Sequence, residues 1–344
     1  MTSTDDFTTV RLSGHDGLLA AIPAMLGFHP EESLVMVCVA GPRQRVGPVI
    51  RIDLQPAGAR SDDEPVGADD LRQYAQQYAD QVALVCYTSA LGRPLLLDRV
   101  EAALRGDGVD LLDVVIVRRG HAYPAGPDGS HSQRMALPGP DHPQVQLMTA
   151  ASALQGRVIL PDRTALRTSV AGPVGPANRL AIAAMQRAAD EFMWVLGATG
   201  PLDRAALRRL RDTTVDGALQ EAGNTGTVAP DTAAILALLV NDVRSRDHLI
   251  ARAVREVDRP WLAMLGAVAR STPDEDAAQI CVVLALTAYA GGDGALAQVA
   301  LDRCLQAEPA HGLARLMLEA MAAGMPPHSL LGLTANSVSP DTDG

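Results

Sequence analysis

Lysine is missing from this 344-residue chain: all 29 positions counted as Lys or Arg are arginine. That removes the Schiff-base lysine of pyridoxal-phosphate enzymes, the P-loop lysine of nucleotide hydrolases and the strand lysine of protein kinases. Aromatic residues are scarce too, at 3%. The core must therefore be built from Leu, Val, Ile, Ala and Met, and the stacking platforms of single-strand nucleic-acid binders are lacking. The four cysteines, Cys38, Cys86, Cys281 and Cys304, are scattered, with no C-x-x-C and no histidine at ligand spacing. A disulfide framework or a zinc site is not indicated, and the thiols read as small buried hydrophobes. The longest nearly continuous apolar run, residues 280–290, falls short of the ~18 residues of a membrane span. The opening residues have no basic region followed by an apolar one, so a cytoplasmic location is expected. The net charge of −11 leaves no positive footprint for nucleic acid or an anionic membrane.

What is present is a globular composition, 47% hydrophobic and 20% charged, on a chain long enough for two domains. The first half reads as α/β. Residues 8–13 alternate as a strand, and a helix follows to residue 26 with Pro23 inside it. Ser13 and Asp16 are the cap residues expected at its start. Residues 33–40 and 47–54 are strands joined by so short a loop that they must form an antiparallel hairpin. A helix over 69–81, a strand over 82–88, a helix over 94–105 and a strand over 111–117 make a right-handed crossover unit with a parallel strand pair. Residues 118–143 read as a long excursion, 144–155 as a helix and 157–160 as a short strand.

The cluster Gly172-Pro173-Val174-Gly175-Pro176 marks a domain boundary. It separates an α/β domain, residues 7–171, from an all-helical domain, residues 177–333, with flexible tails at 1–6 and 334–344. The run 274–290 is apolar on nearly every side and reads as the central buried helix. Beyond it, Gly292-Asp293 followed by Ala297, Ala300, Leu301, Cys304 and Glu308-Pro309 matches the second half of a tetratricopeptide repeat. One such unit makes a helical hairpin; a peptide groove needs about three. The G-x-G-x-x-A pattern at Gly292 follows a helix, so it reads as the turn of that hairpin and not as a dinucleotide loop.

Candidate site residues lie in the first half. Gly27-Phe28-His29-Pro30 joins the first helix to the second strand: Gly27 suits a left-handed helix end, Phe28 a core plug, and His29 a donor or an acid/base. That loop enters the amino end of its strand, which is the wrong end for a site in an open parallel sheet. Arg51 and Asp53 share the less apolar face of their strand, as a cross-strand ion pair or as a polar anchor under a ligand. Arg118, Arg119 and His121 stand where the excursion leaves the carboxyl end of a parallel strand, the place where an anion would bind. His131 and His142, with Asp128 and Asp141, populate the same excursion, but their spacing follows no metal-ligand rule. No metal and no cofactor is expected.

The run Leu18 through Val35, including Gly27-Phe28-His29-Pro30-Glu31-Glu32-Ser33, resembles the opening signature of an uncharacterised actinobacterial family, domain of unknown function 4192. Gly156-Arg157-Val158-Ile159-Leu160-Pro161 with Arg163 and Leu166, and the helix pair from Gly292 to Pro309, are similar to its middle and end. The resemblance implies no activity. No catalytic set is found, so the expected function is a binding or interaction protein that docks a protein partner or a small anionic ligand. The alternative is an enzyme or small-molecule sensor with a pocket near the carboxyl end of strand 111–117.

Overall fold

The structure is a computed structural model that describes residues 12–55, 67–125, 133–154, 157–198, 204–255, 259–327 and 329–330. The expected strand over 8–13 falls outside these apart from Leu12 and Ser13, as do Asp128, His131 and both tails. The chain divides into two compact units, Met1–Arg163 and Thr164–Gly344.

The first unit is a mixed α/β fold. Helix α1 (Gly14–Leu26) ends at Gly27, whose φ of 77° is the left-handed cap that glycine adopts without strain. Strands β1 (Ser33–Ala40) and β2 (Arg45–Asp53) form the antiparallel hairpin. Helix α2 (Ala68–Tyr78), β3 (Gln81–Tyr87), α3 (Leu95–Gly106) and β4 (Asp110–Arg118) form the crossover unit, with β3 and β4 parallel. Two further strands, β5 (His121–Ala125) and β6 (Met135–Ala136), complete a sheet of order β2-β1-β3-β4-β5-β6. The expected excursion after β4 is therefore strand in part. Arg119 and Gly120, at φ 47° and 74°, make a two-residue turn that brings His121 opposite Arg118, because two consecutive positive φ values match the twist of a hairpin. Helix α4 (Pro143–Leu154) follows, and the expected strand over 157–160 is reduced to one parallel bridge between Leu160 and Phe28.

Strand alternation sorts the side chains of the sheet onto two faces. Leu34, Met36, Cys38, Ile52, Val82, Leu84, Cys86, Val114 and Ile116 form one core with Leu71 and Ala75 of α2 and Leu97, Val100 and Leu104 of α3. Each such Leu or Ile contributes about 1.5–3 kcal/mol by burial. The other face carries Val35, Val37, Val85 and Val115, all buried, and belongs to α1. His15 of α1 reaches Asp113 of β4 on that face at 3.0 Å, and α4 packs along α1. Ser13 sits at the cap position without a side-chain bond, and Asp16 turns to His142 at 3.5 Å instead of capping its own helix.

The second unit is helical. It comprises α5 (Arg163–Thr168), which begins on the last residue of the first unit, then α6 (Gly175–Ala198), α7 (Arg204–Thr225) and α8 (Pro230–Leu239). These are followed by α9 (Val243–Arg255), α10 (Arg259–Ser271), α11 (Ala278–Ala290), α12 (Gly294–Ala307) and α13 (Gly312–Ala322). The expected central helix opens as a short 3-10 turn, Asp274–Asp276, and continues as α11, which is buried from Ile280 to Ala288. Asp293 caps α12 by accepting from the Leu296 N–H at 3.0 Å. The segment just ahead of the Gly/Pro cluster is fastened into this unit, since the Val170 carbonyl accepts from Arg303 of α12 at 2.7 Å. All four cysteines are buried, and burial pushes Cys38 and Cys281 up to about 11, and Cys86 and Cys304 up to about 12. Thiols so protonated are poor nucleophiles.

Among the described residues no helix is long and apolar enough to cross a membrane.

Candidate functional site

The carboxyl end of the parallel pair is where chain reversal brings the candidate residues. Because β1 runs antiparallel to β3, its amino end lies beside the carboxyl ends of β3 and β4: Ser33 pairs with Tyr87, and Tyr87 with Val117. On the other side Ser33 pairs with Asp53, and Arg118 with His121. So the loop carrying His29 is at the right end of the sheet after all. The rule that a helix-to-strand loop sits at the wrong end holds for parallel strands, and β1 is not one.

The candidates share this end but divide between its faces. On the α1 face, Phe28 is buried and the Arg51 guanidinium lies over its ring, 5.6 Å from the centroid. Arg51 also pairs with Asp53, its neighbour two residues along the same strand and face. The second carboxylate oxygen of Asp53 accepts from Arg163 at 2.6 Å. The backbone is laced at the same point: the Leu160 N–H donates to the Gly27 carbonyl at 2.8 Å, and the His29 N–H to the Leu160 carbonyl at 3.1 Å. The His29 ring itself is exposed. Two segments about 130 residues apart, around Phe28 and around Leu160 to Arg163, are thus fastened together through β2.

Burial raises the Asp53 carboxyl, but Arg51 and then Arg163 pull harder the other way, so it lies below the ordinary 3.8. A carboxyl depressed in the folded state stabilises that state at neutral pH, and the contribution is lost as the pH falls through and below 3.8. Asp53 is mostly exposed, so solvent screening keeps the effect under about 1 kcal/mol. The acid-unfolding curve of Asp53→Asn is expected to be flatter below pH 4 than that of the parent, with little change at pH 7. An unchanged acid limb would mean that the two arginines do not hold Asp53 in solution.

On the α2/α3 face the same end is organised around Glu32. Its φ of 38° is left-handed, unusual for a residue with a side chain. That conformation lets its carbonyl accept from the Leu54 N–H at 2.8 Å, while its carboxylate accepts from the Ser89 N–H at 2.6 Å and the Thr88 hydroxyl at 3.3 Å. The Thr88 hydroxyl in turn accepts from the Ala90 N–H at 3.1 Å. Arg118 donates to the carbonyls of Leu91 and Gly92, both at 2.8 Å. Arg93 is held by Asp98 and Glu101 of α3. Residues 88–93, between β3 and α3, are consequently braced from three sides. Yet Leu91 and Leu95 are 79% and 67% exposed.

Each candidate can now be placed. Arg118 spends its guanidinium on two backbone carbonyls, and Arg119 is the exposed first residue of the hairpin turn. The His121 Nδ1 donates to the Arg119 carbonyl at 3.0 Å. His29, Arg51 and Asp53 group with Phe28 and Arg163 on the other face. His142 is at the opposite end of the sheet, facing Asp16 near the start of α1. Among the described residues no group of three or more His, Cys, Asp or Glu is arranged to hold a metal ion. Glu32 and Thr88 were not singled out as site residues by sequence: Glu32 lies within the family-like run without a role there, Thr88 belongs to no motif, and what each does depends on strand order. Arg163 carried a signal only through the family resemblance.

No curated protein and no solved structure matches the chain. A family model does, over residues 16–328, and the chain belongs to that family, described as a domain of unknown function, DUF4192.

Proposed function

We propose that the chain is a cytoplasmic binding protein of actinobacterial type that docks a protein partner through the loop joining β3 to α3. The supporting observation is the contrast within residues 88–95. Glu32, Thr88 and Arg118 tie the backbone, while Leu91 and Leu95 stand in solvent. A single exposed leucine is ordinary on any protein surface. Two on a braced loop and the helix start that follows it are different, because a preorganised apolar projection binds without the entropy cost of ordering it. The arginine-only basic composition agrees with a high-GC source. A small anionic ligand is the weaker reading at this end, since the Arg118 and Arg51 guanidinium groups are already engaged.

A photo-crosslinking residue at position 91, with the chain expressed in its native cytoplasm, is expected to give a discrete protein adduct. Adding Leu95→Asp is expected to abolish that adduct. The substitution should leave the melting curve within about 0.5 kcal/mol of the parent, since the braces use no atom of that side chain. If position 91 yields no adduct, or an adduct insensitive to Leu95→Asp, this loop does not dock a partner.

A further inference from the structure

Among the described residues three that are not glycine have a left-handed backbone: Glu32, Gln44 and Arg119, at φ 38°, 47° and 47°. That conformation is strained for a residue with a side chain, and the surroundings have to hold it. In Glu32 and Gln44 the side chain itself takes part. The Glu32 carboxylate accepts from the Ser89 N–H at 2.6 Å, and the Gln44 side-chain amide donates to Gln81 Oε1 at 3.1 Å. Arg119 is different. Its carbonyl accepts from His121, but its side chain is exposed and bonds to no other described residue. Nor does the turn call for an arginine. The first position of a two-residue turn with positive φ at both residues suits Asn, Asp or Gly. Strain kept at a residue whose side chain touches nothing inside the chain points to a contact outside it.

Arg119 stands beside the braced loop. Arg118, the residue before it, reaches the Leu91 and Gly92 carbonyls, and the Thr88 N–H donates to the Val117 carbonyl at 3.0 Å. The hairpin turn and the exposed Leu91 are therefore neighbours at one end of the sheet. Neither Arg118 nor Arg119 meets a carboxylate of the described residues at ion-pair distance, whereas Arg93 is matched by Asp98 and Glu101. Two positive charges thus adjoin the apolar pair, on a chain whose net charge is −11. An anionic group is repelled by most of such a surface and drawn to this part of it. A lone exposed guanidinium holds a small ion weakly in water. At the rim of an apolar contact the same charge steers one partner in and keeps others out.

We infer that Arg119 recognises a carboxylate side chain of the protein that docks on Leu91 and Leu95, so that the docking segment is apolar with an Asp or Glu at its edge. This rests on the docking reading above, and what it adds is the sign of the partner's charge.

The readout is the adduct formed by a photo-crosslinking residue at position 91 in an extract of the native cytoplasm. Arg119→Glu is expected to lower its yield about tenfold, because attraction at the rim becomes repulsion. Arg119→Lys keeps the charge without the planar fork, and should stay within about threefold of the parent. Raising the salt from about 0.05 to 0.5 M should reduce the parent's yield several-fold and that of Arg119→Gly much less. Arg119→Gly is also expected to slow amide exchange along β4 and β5 by about two- to fivefold, since the strain relieved exceeds the chain freedom that glycine adds. An adduct that needs Leu95 but forms equally well with Arg119→Glu would overturn this inference and leave the docking loop standing. A yield raised by Arg119→Glu would overturn it in favour of a basic partner. Faster exchange in Arg119→Gly would overturn it as well, because the arginine would then serve the turn. No adduct from any of these chains would remove the docking reading, and this one with it.

Discussion

Replacing Arg303 with methionine is expected to cost the helical unit about 3–5 kcal/mol, a large part of the stability of a single domain. The residue is 7% exposed on α12, and its guanidinium makes four hydrogen bonds and an ion pair. Nε donates to Asp274 at 3.0 Å, and one terminal nitrogen serves Asp274 at 2.9 Å and the Thr272 carbonyl at 2.8 Å. The other reaches the carbonyls of Val170 and Ala269, both at 2.7 Å. Ala269 and Thr272 lie at and just beyond the last turn of α10, where the helix dipole is negative; the Ala269 carbonyl also accepts from the Thr272 N–H at 3.2 Å, whereas the Thr272 carbonyl lies past the helix end. Arg303 is therefore a cap supplied from another helix. It also pins the turn at Val170 that follows α5 and the turn at Asp274.

Methionine fills most of the volume but leaves the Val170 and Thr272 carbonyls without their donor in a dry interior, where each orphan costs about 1–3 kcal/mol, and leaves the Ala269 carbonyl with the Thr272 N–H alone. Lysine keeps the charge as a point with three donors, lacks the planar fork, and should recover less than half of the loss. Gly172 tests the same junction from the other side. A Cβ there would sit 2.5 Å from Asp274 Oδ1, 2.6 Å from an Arg303 terminal nitrogen and 3.1 Å from the Thr272 carbonyl, so Gly172→Ala should destabilise as well. The measurement is urea unfolding followed by tryptophan fluorescence, because both tryptophans, Trp194 and Trp261, belong to the second unit. A loss below about 1 kcal/mol for Arg303→Met would show that water replaces the guanidinium, and the cap would then count for little.

The elements legible in the sequence were those whose pattern is local. Strand β1 over residues 33–40 is a continuous apolar run, and the structure places it at Ser33–Ala40. Helix α11 is apolar all round and is buried, as such a helix must be. Strand β5 was missed because His121-Ala122-Tyr123-Pro124-Ala125 is short and contains proline. The proline is tolerated there. By alternation from His121 its nitrogen points away from β4, and the pairing of β6 has already ended at Ala122.

The site end was harder still, because it depends on strand order. Nothing local to His29 says that β1 runs antiparallel to β3, yet that one fact moves its loop to the carboxyl end of the sheet. Glu32 and Arg303 show the same limit. One is a glutamate in a loop and the other an arginine on a helix, both of which look like surface residues until their distant partners are placed. Arg51 and Asp53 were legible as a pair by their alternation, but the third member, Arg163, is 110 residues away from Asp53 and was marked by the family resemblance alone, which does not say what it pairs with.

Phe28 is the residue on which that end of the first unit turns, and Phe28→Ala is expected to cost about 3–5 kcal/mol. The ring is 2% exposed and is among the largest fully buried side chains of the protein, so truncation leaves a cavity that the surrounding strands can only partly close. It also removes the surface on which Arg51 rests, a cation–π contact worth about 0.5–1 kcal/mol at a partly exposed site. The two contributions separate experimentally. Phe28→Leu restores most of the apolar volume and none of the ring, so it should recover the larger part of the stability while leaving Arg51 loose. With Arg51 loose, Asp53 loses its main cationic partner, and its carboxyl should move back up towards 3.8. Carboxyl titration by NMR would register that movement in Phe28→Leu, a variant that still folds. Amide hydrogen exchange along β1 and β2 should accelerate strongly in Phe28→Ala and only slightly in Phe28→Leu. If Phe28→Leu titrates like the parent, the ring serves as packing alone, and Arg51 is positioned by Asp53 without it.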